Sequence, residues 1–159
     1  MRKALDRPAP PDDLESIYLD HGQRLWRAVL GFSGDPDVAS DAVAEAFTQA
    51  LRRGDAIRRV LPWIWKTAFL VAAAELKARR RETPLTTEAV EEPNAASDEL
   101  LGYLRMLSLK QRGALVLHYY EGYAPREIAR ILGSTPAAVR VHLHRGRRRL
   151  RELWEDDHG

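Results

Sequence analysis

Residues 125–150 read PREIARILGSTPAAVRVHLHRGRRRL, and this stretch decides the fold. Pro125 suits the first turn of a helix, where its missing N–H is not needed. Gly133 can take the left-handed conformation that ends such a helix, and Ser134 or Thr135 followed by Pro136 starts the next. Ala129, Gly133 and Val139 fall where a helix-turn-helix needs a small residue for close approach, a tight turn, and an apolar contact back to the first helix. Rotation by about 100° per residue puts Val139, Leu143, Gly146 and Leu150 on a narrow inward stripe. Ala137, Val141, His144, Arg145 and Arg148 lie opposite, with Arg140 on the flank. Six arginines occur in the twelve residues Arg140 to Arg151, with no acidic residue among them. An ordinary helical hairpin does not need that run. A helix entering a major groove does, because its face is small near the start and cationic further on.

Upstream of this motif the pattern is helical throughout, which gives an all-α fold. Leu14, Ile17, Tyr18, Leu25, Ala28 and Val29 form a one-sided stripe that Gly31 and Gly34 end. Asp35 and Pro36 start a second helix carrying Val38, Ala42, Val43, Ala46, Phe47, Ala50 and Leu51. After a short basic connection, Pro62 opens a third helix that runs to the cluster Lys77-Ala78-Arg79-Arg80-Arg81. Residues 82–97 hold two prolines, three threonines and four glutamates with few large hydrophobes, the composition of a flexible linker. Ser97 and Ser108 then cap two helices, the second closed by Gly122. Two small helical domains, 12–81 and 98–155, are therefore predicted on either side of an acidic linker at 82–97.

Charge follows the same division. The net balance is +3 over residues 1–81, −6 over 82–99 and +5 over 100–159, so two basic bodies flank an acidic segment and suit a polyanion touched at two places. The chain contains no cysteine, which excludes disulfide scaffolds and thiolate metal sites. Its longest apolar run is the seven residues from Ala68 to Ala74, too short for the ~20 needed to cross a bilayer. The first dozen residues lack the apolar core of a secretion signal, so a cytoplasmic location and no membrane insertion are expected. His142 and His144 sit two apart on a helix and point about 200° from each other, so they cannot share an ion. No phosphate loop, nucleophile elbow or carboxylate cluster stands out, and neither enzymatic activity nor a cofactor or metal is expected.

The third helix presents two apolar stripes: Trp63, Thr67, Leu70, Ala74 and Ala78 on one side, Trp65, Phe69, Ala72 and Leu76 on nearly the other. One can pack inside the bundle. The second is either also buried, covered by a partner, or offered to something flat such as an unstacked base beside the cations Lys66, Lys77, Arg79, Arg80 and Arg81.

Taken in order, HGQRLWRAVL, DPDVASDAVAEAFTQAL, PWIWKTAFL with KARRR, and LSLKQRGALVLHYYEGYAPREIARILG with AAVRVHLHRGRRRL resemble a bacterial sigma factor of the extracytoplasmic-function (ECF) group, with conserved regions 2 and 4 only. The resemblance implies a subunit that binds core RNA polymerase, at its clamp coiled coil and flap, and directs it to promoter DNA. It implies core-polymerase binding by Asp41, Val43, Glu45 and Phe47. Minus-ten recognition and strand opening would fall to Arg58, Arg59, Trp63, Trp65, Lys66, Lys77, Arg79, Arg80 and Arg81. Minus-thirty-five reading would fall to Arg126, Ala137, Arg140, Val141, His144, Arg145 and Arg148. An anti-sigma factor is the implied regulator, and the linker would run toward the RNA exit path. Ala44, Leu70 and Ala74 stand where glutamine, asparagine and aspartate are common in the group. Val141 and His142 replace the usual serine and the usual arginine or lysine. The alternative for a chain of this plan is a free-standing helix-turn-helix regulator of duplex DNA.

Overall fold

A computed structural model describes residues 11–82 and 95–159 as helices joined by short turns. Among the described residues they form two compact units, the first of residues 11–30 and 36–82 and the second of residues 31–35 and 95–159. Residues 83–94, most of the predicted linker, lie outside the described residues.

The first unit contains α1 (Pro11–Ser33) up to Leu30, α2 (Pro36–Arg53) and α3 (Val60–Glu82). Gly34, at φ 72°, makes the turn after α1. The Ser33 hydroxyl stitches that turn by accepting from the Asp35 N–H at 3.2 Å. Gly31, predicted as a stop with Gly34, is instead inside α1: glycine within a helix costs only about 1 kcal/mol, and it is Gly34 that takes the left-handed φ ending the helix. The buried side of α2 is largely alanine, with Ala39, Ala42, Ala46 and Ala50 beside Val38 and Val43. Such small side chains let a neighbouring helix approach closely. On α3 the buried face is Ile64, Trp65, Thr67, Ala68, Phe69 and Ala72. Of the two predicted stripes, Trp65, Phe69 and Ala72 are core and Leu76 is half-buried; on the other, Leu70, Ala74 and Ala78 are exposed and Trp63 is half-buried, but Thr67 is buried and joins the core side. Burial of a side chain such as Ile64 or Phe69 contributes about 1.5–3 kcal/mol. Tyr18, predicted within the core stripe of α1, is 55% exposed. It packs edge-on against Phe47 of α2, ring centroids 5.2 Å apart.

The second unit contains α4 (Ala95–Arg105), α5 (Leu109–Leu115) continued by a π-helical turn (Val116–Tyr120), α6 (Pro125–Leu132) and α7 (Pro136–His158). Helix α4 begins at Ala95, so Ser97 lies inside it rather than capping it. Ser108 does cap α5, in a reciprocal box with Gln111. The helix-turn-helix forms as its punctuation predicts. Pro125 opens α6, and Gly133 ends it in the left-handed region at φ 64°. The Ser134 N–H closes the turn onto the Ala129 carbonyl at 2.8 Å. Of the two candidate caps for α7, Thr135 is used: its hydroxyl accepts from the Ala138 N–H at 3.1 Å. Ile128, Ala129 and Ile131 of α6 meet the buried Val139 and Leu143 of α7 in one core with Ala114, Leu115 and Leu117. At the far end, Trp154 of α7 lies edge-on to Tyr103 of α4, and the Tyr103 hydroxyl sits 2.7 Å from Asp157. Among the described residues no helix is long and apolar enough to cross a membrane.

Candidate nucleic-acid and partner interfaces

Because Val139, Leu143 and Gly146 are buried, the rotation of α7 is fixed, and with it the face that α7 presents to solvent. Ala137, Arg140, Val141, His144, Arg145 and Arg148 are all exposed, as is Arg126 at the start of α6. Every residue assigned to minus-thirty-five reading is therefore on the surface. Arg145, Arg148 and Arg149 also line a cleft of about 300 Å³ with Met106, Gln111 and Glu152. The arginine run is not unopposed, since Glu152, just beyond it, lies 3.3 Å from Arg148 and 3.6 Å from Arg149. Both arginines are solvated, and exposed pairs of this kind contribute only about 0–1 kcal/mol, so a phosphate can replace the carboxylate at little cost. His142 is half-buried on another side of the helix from His144. Burial first, then Lys110 and Arg145, lowers its pKa and favours the neutral ring.

In the first unit, Arg53, Arg58, Arg59 and Lys66 surround Trp63 in a cleft of about 360 Å³ completed by Ala56, Ile57 and Pro62. The Arg53 guanidinium stands 5.6 Å over the Trp63 ring. Trp65 is not part of this surface. It is 1% exposed and its ring stacks with Phe69, because 200° of helical rotation from Trp63 carries it into the core. Sequence reasoning missed Arg53, whose signal was only its place at the basic end of α2. Lys77, Arg79 and Arg80 are exposed on the same helix. They lie roughly 16 Å or more beyond Lys66 along the axis, so they form a separate basic patch rather than part of the cleft. The side chain of Arg81 lies outside the described residues.

On α2, Asp41 and Ala44 are exposed, while Glu45 and Phe47 are half-buried. Glu45 accepts a hydrogen bond from Gln49 at 3.0 Å, and Phe47 rests against Tyr18. Val43 is 6% exposed and belongs to the core, 200° around the helix from Asp41, which removes it from the candidate surface. Asp41 neighbours Glu75 of α3. Burial, followed by the charge of Asp41, raises the Glu75 carboxyl above its ordinary range despite an ion pair with Arg79 at 3.1 Å.

Residues 97–150 match the family described as sigma-70, region 4. The chain is 31% identical over 153 residues to the ECF RNA polymerase sigma factor SigL of Mycobacterium tuberculosis, covering 87% of this chain and 86% of that protein. It is 28% identical over 160 residues to the RNA polymerase sigma factor CarQ of Myxococcus xanthus, covering 92% of each. Among solved structures, the sigma factor RpoE in complex with the anti-sigma factor NepR from Bartonella quintana is similar with a TM-score of 0.74 at 22% identity, covering 90% of this chain and 97% of that one. CnrH in complex with the cytosolic domain of CnrY gives a TM-score of 0.67 at 21% identity, over 91% and 88% of the two chains. These two likenesses speak for the all-helical fold.

The raised Glu75 pKa has a consequence for stability. A carboxyl that binds its proton more tightly folded than unfolded contributes stability below the unfolded value of 4.5, and that contribution is lost as pH rises through the folded value. Glu75→Gln keeps the shape and removes the charge. Its melting temperature relative to the parent chain is expected to rise between about pH 4 and about pH 7. A difference that stays flat or falls over that range contradicts a Glu75 carboxyl raised by burial and by the charge of Asp41.

Proposed function

Since the chain belongs to the ECF sigma factors of RNA polymerase, we propose that it binds core polymerase, directs it to a class of promoters and helps separate the strands there. Residues 12–81 act as sigma region 2, residues 98–155 as region 4, and 82–97 as the acidic linker between them. The exposed side of α2 around Asp41, with Glu45 and Phe47 at its rim, docks on the clamp coiled coil, and region 4 meets the flap. The cleft around Trp63 holds an unpaired base of the minus-ten element. An aromatic ring supplies a stacking surface there, and Arg53, Arg58, Arg59 and Lys66 supply cations for the adjoining phosphates. Lys77, Arg79 and Arg80 then meet backbone further along the strand. The chemistry of RNA synthesis belongs to the polymerase. The protein acts in the cytoplasm, and an anti-sigma factor covers its binding surfaces until a signal releases it, as NepR and CnrY accompany the two structural neighbours.

The observation that carries this reading is the outward face of α7, where Ala137, Arg140, Val141, His144, Arg145 and Arg148 are exposed together on a helix pinned by Val139 and Leu143. The early part of that helix enters the groove, so base reading falls to Arg140 or Arg145, with guanine as the matching partner. Val141 lacks a hydrogen-bonding group and fits a thymine methyl. Arg148 and its neighbours come later, where the helix leaves the base edges and meets phosphate.

Arg145→Ala is expected to cost about 1–3 kcal/mol in promoter binding by the holoenzyme and to relax preference at one or two base pairs. Arg148→Ala is expected to weaken all sequences alike and lower the salt slope by about 1. The reverse pattern would mean that α7 docks in another rotation. On α2, Asp41→Arg should abolish co-purification with core polymerase while the helical circular dichroism stays unchanged; undiminished co-purification refutes the docking surface.

A further inference from the structure

Tyr119 and Arg147 lie 28 positions apart, one in the π-helical turn after α5 and the other on α7, and both are exposed. The Arg147 guanidinium donates to the Tyr119 hydroxyl at 2.7 Å, and its carbon stands 6.0 Å from the centre of the Tyr119 ring. Tyr119 is 60% exposed, so packing does not account for a large aromatic side chain at this position. It is nevertheless held. The His118 Nδ1 lies 2.9 Å from the Tyr123 carbonyl, which can only accept, so that nitrogen carries the proton and the ring is fixed. The His118 ring in turn meets Tyr119 edge-on at 4.9 Å. The π-helical turn supplies the register that brings His118 and Tyr119 to this place, and such turns recur at functional sites.

Arg147 occupies the same flank of α7 as Arg140, since seven residues return a helix to within about 20° of the same direction. Arg147 comes two turns after Arg140, in the later part of the helix that leaves the base edges and meets the phosphate backbone, as Arg148 does. An unrestrained arginine gives up considerable rotamer freedom when it binds a phosphate. A side chain already held by a neighbour gives up less, and its affinity rises accordingly.

We propose that Tyr119 is a positioning residue that holds Arg147 toward a phosphate of the promoter duplex, so that the contact is arranged before DNA arrives. Tyr119 acts through Arg147 and reads no base. The inference rests on α7 being the duplex-binding helix.

The test uses the full chain and two 30-base-pair duplexes of unrelated sequence, titrated from 50 to 200 mM salt. Tyr119→Phe keeps the ring and deletes the hydroxyl. It should weaken both duplexes equally, by about threefold to tenfold, the contribution of one hydrogen bond. Arg147→Ala should weaken both further and lower the salt slope by about 1. Adding Tyr119→Phe to Arg147→Ala should then change nothing, which a merely structural tyrosine would not produce. Unchanged binding by Tyr119→Phe, an effect confined to one sequence, or full additivity in the double variant overturns the inference. Arg148→Ala separates the two levels. If it weakens binding while Tyr119→Phe does not, only the role of Tyr119 fails; if neither Arg148→Ala nor Arg147→Ala has an effect, the duplex-binding assignment of α7 fails with it.

Discussion

What the second unit offers to a ligand depends on the contact of α7 with α5 at Gly146. A Cβ added to this glycine would stand 2.9 Å from Leu115 Cδ1, so the two helices meet at a distance that only a residue without a side chain allows comfortably. Together with the buried Val139 and Leu143, this contact fixes the rotation of α7. Once rotation is fixed, the exposed set follows: the small Ala137 and Val141 near the start, then His144 and the arginines. The cationic face is thus a consequence of apolar packing on the other side. Its mutual repulsion is moderated by Glu152 and by solvent, not by burial.

The first unit solves a similar problem with different residues. The alanine side of α2 takes up little space, so α3 can bury both Trp65 and Phe69 and still leave Trp63 at the surface. Arg53 at the end of one helix and Lys66 in the next converge on that ring across the turn between them. The neighbouring carboxyls of Asp41 and Glu75 work in the opposite direction, since like charges placed side by side reduce stability.

Much of this was legible in the sequence, and the physical reasons for success and failure are distinct. Proline, glycine and hydroxyl caps act locally, so Pro125, Gly133, Ser108 and the stripe of Val139 and Leu143 could be placed from spacing alone. Assignments that depend on which of two apolar faces is covered could not. Trp63 and Trp65 sit on α3 with equal hydrophobicity, and only the position of the neighbouring helices decides that Trp65 is core. Val43 and Tyr18 show the same limitation in opposite directions, one buried where a surface role was expected and the other exposed where a core role was. Arg53 reaches Trp63 only across the turn between two consecutive helices, and the pairing of Tyr119 with Arg147 spans 28 positions, so neither shows in the periodicity of a single helix.

The most direct measurement is run-off transcription with purified core polymerase on a library of genomic promoter fragments, with and without this protein. Discrete transcripts are expected from a subset of fragments that share upstream elements, only when protein and core are both present. Tight binding to such fragments by the protein alone, with no transcript gained when core polymerase is added, would contradict it and indicate a free-standing regulator.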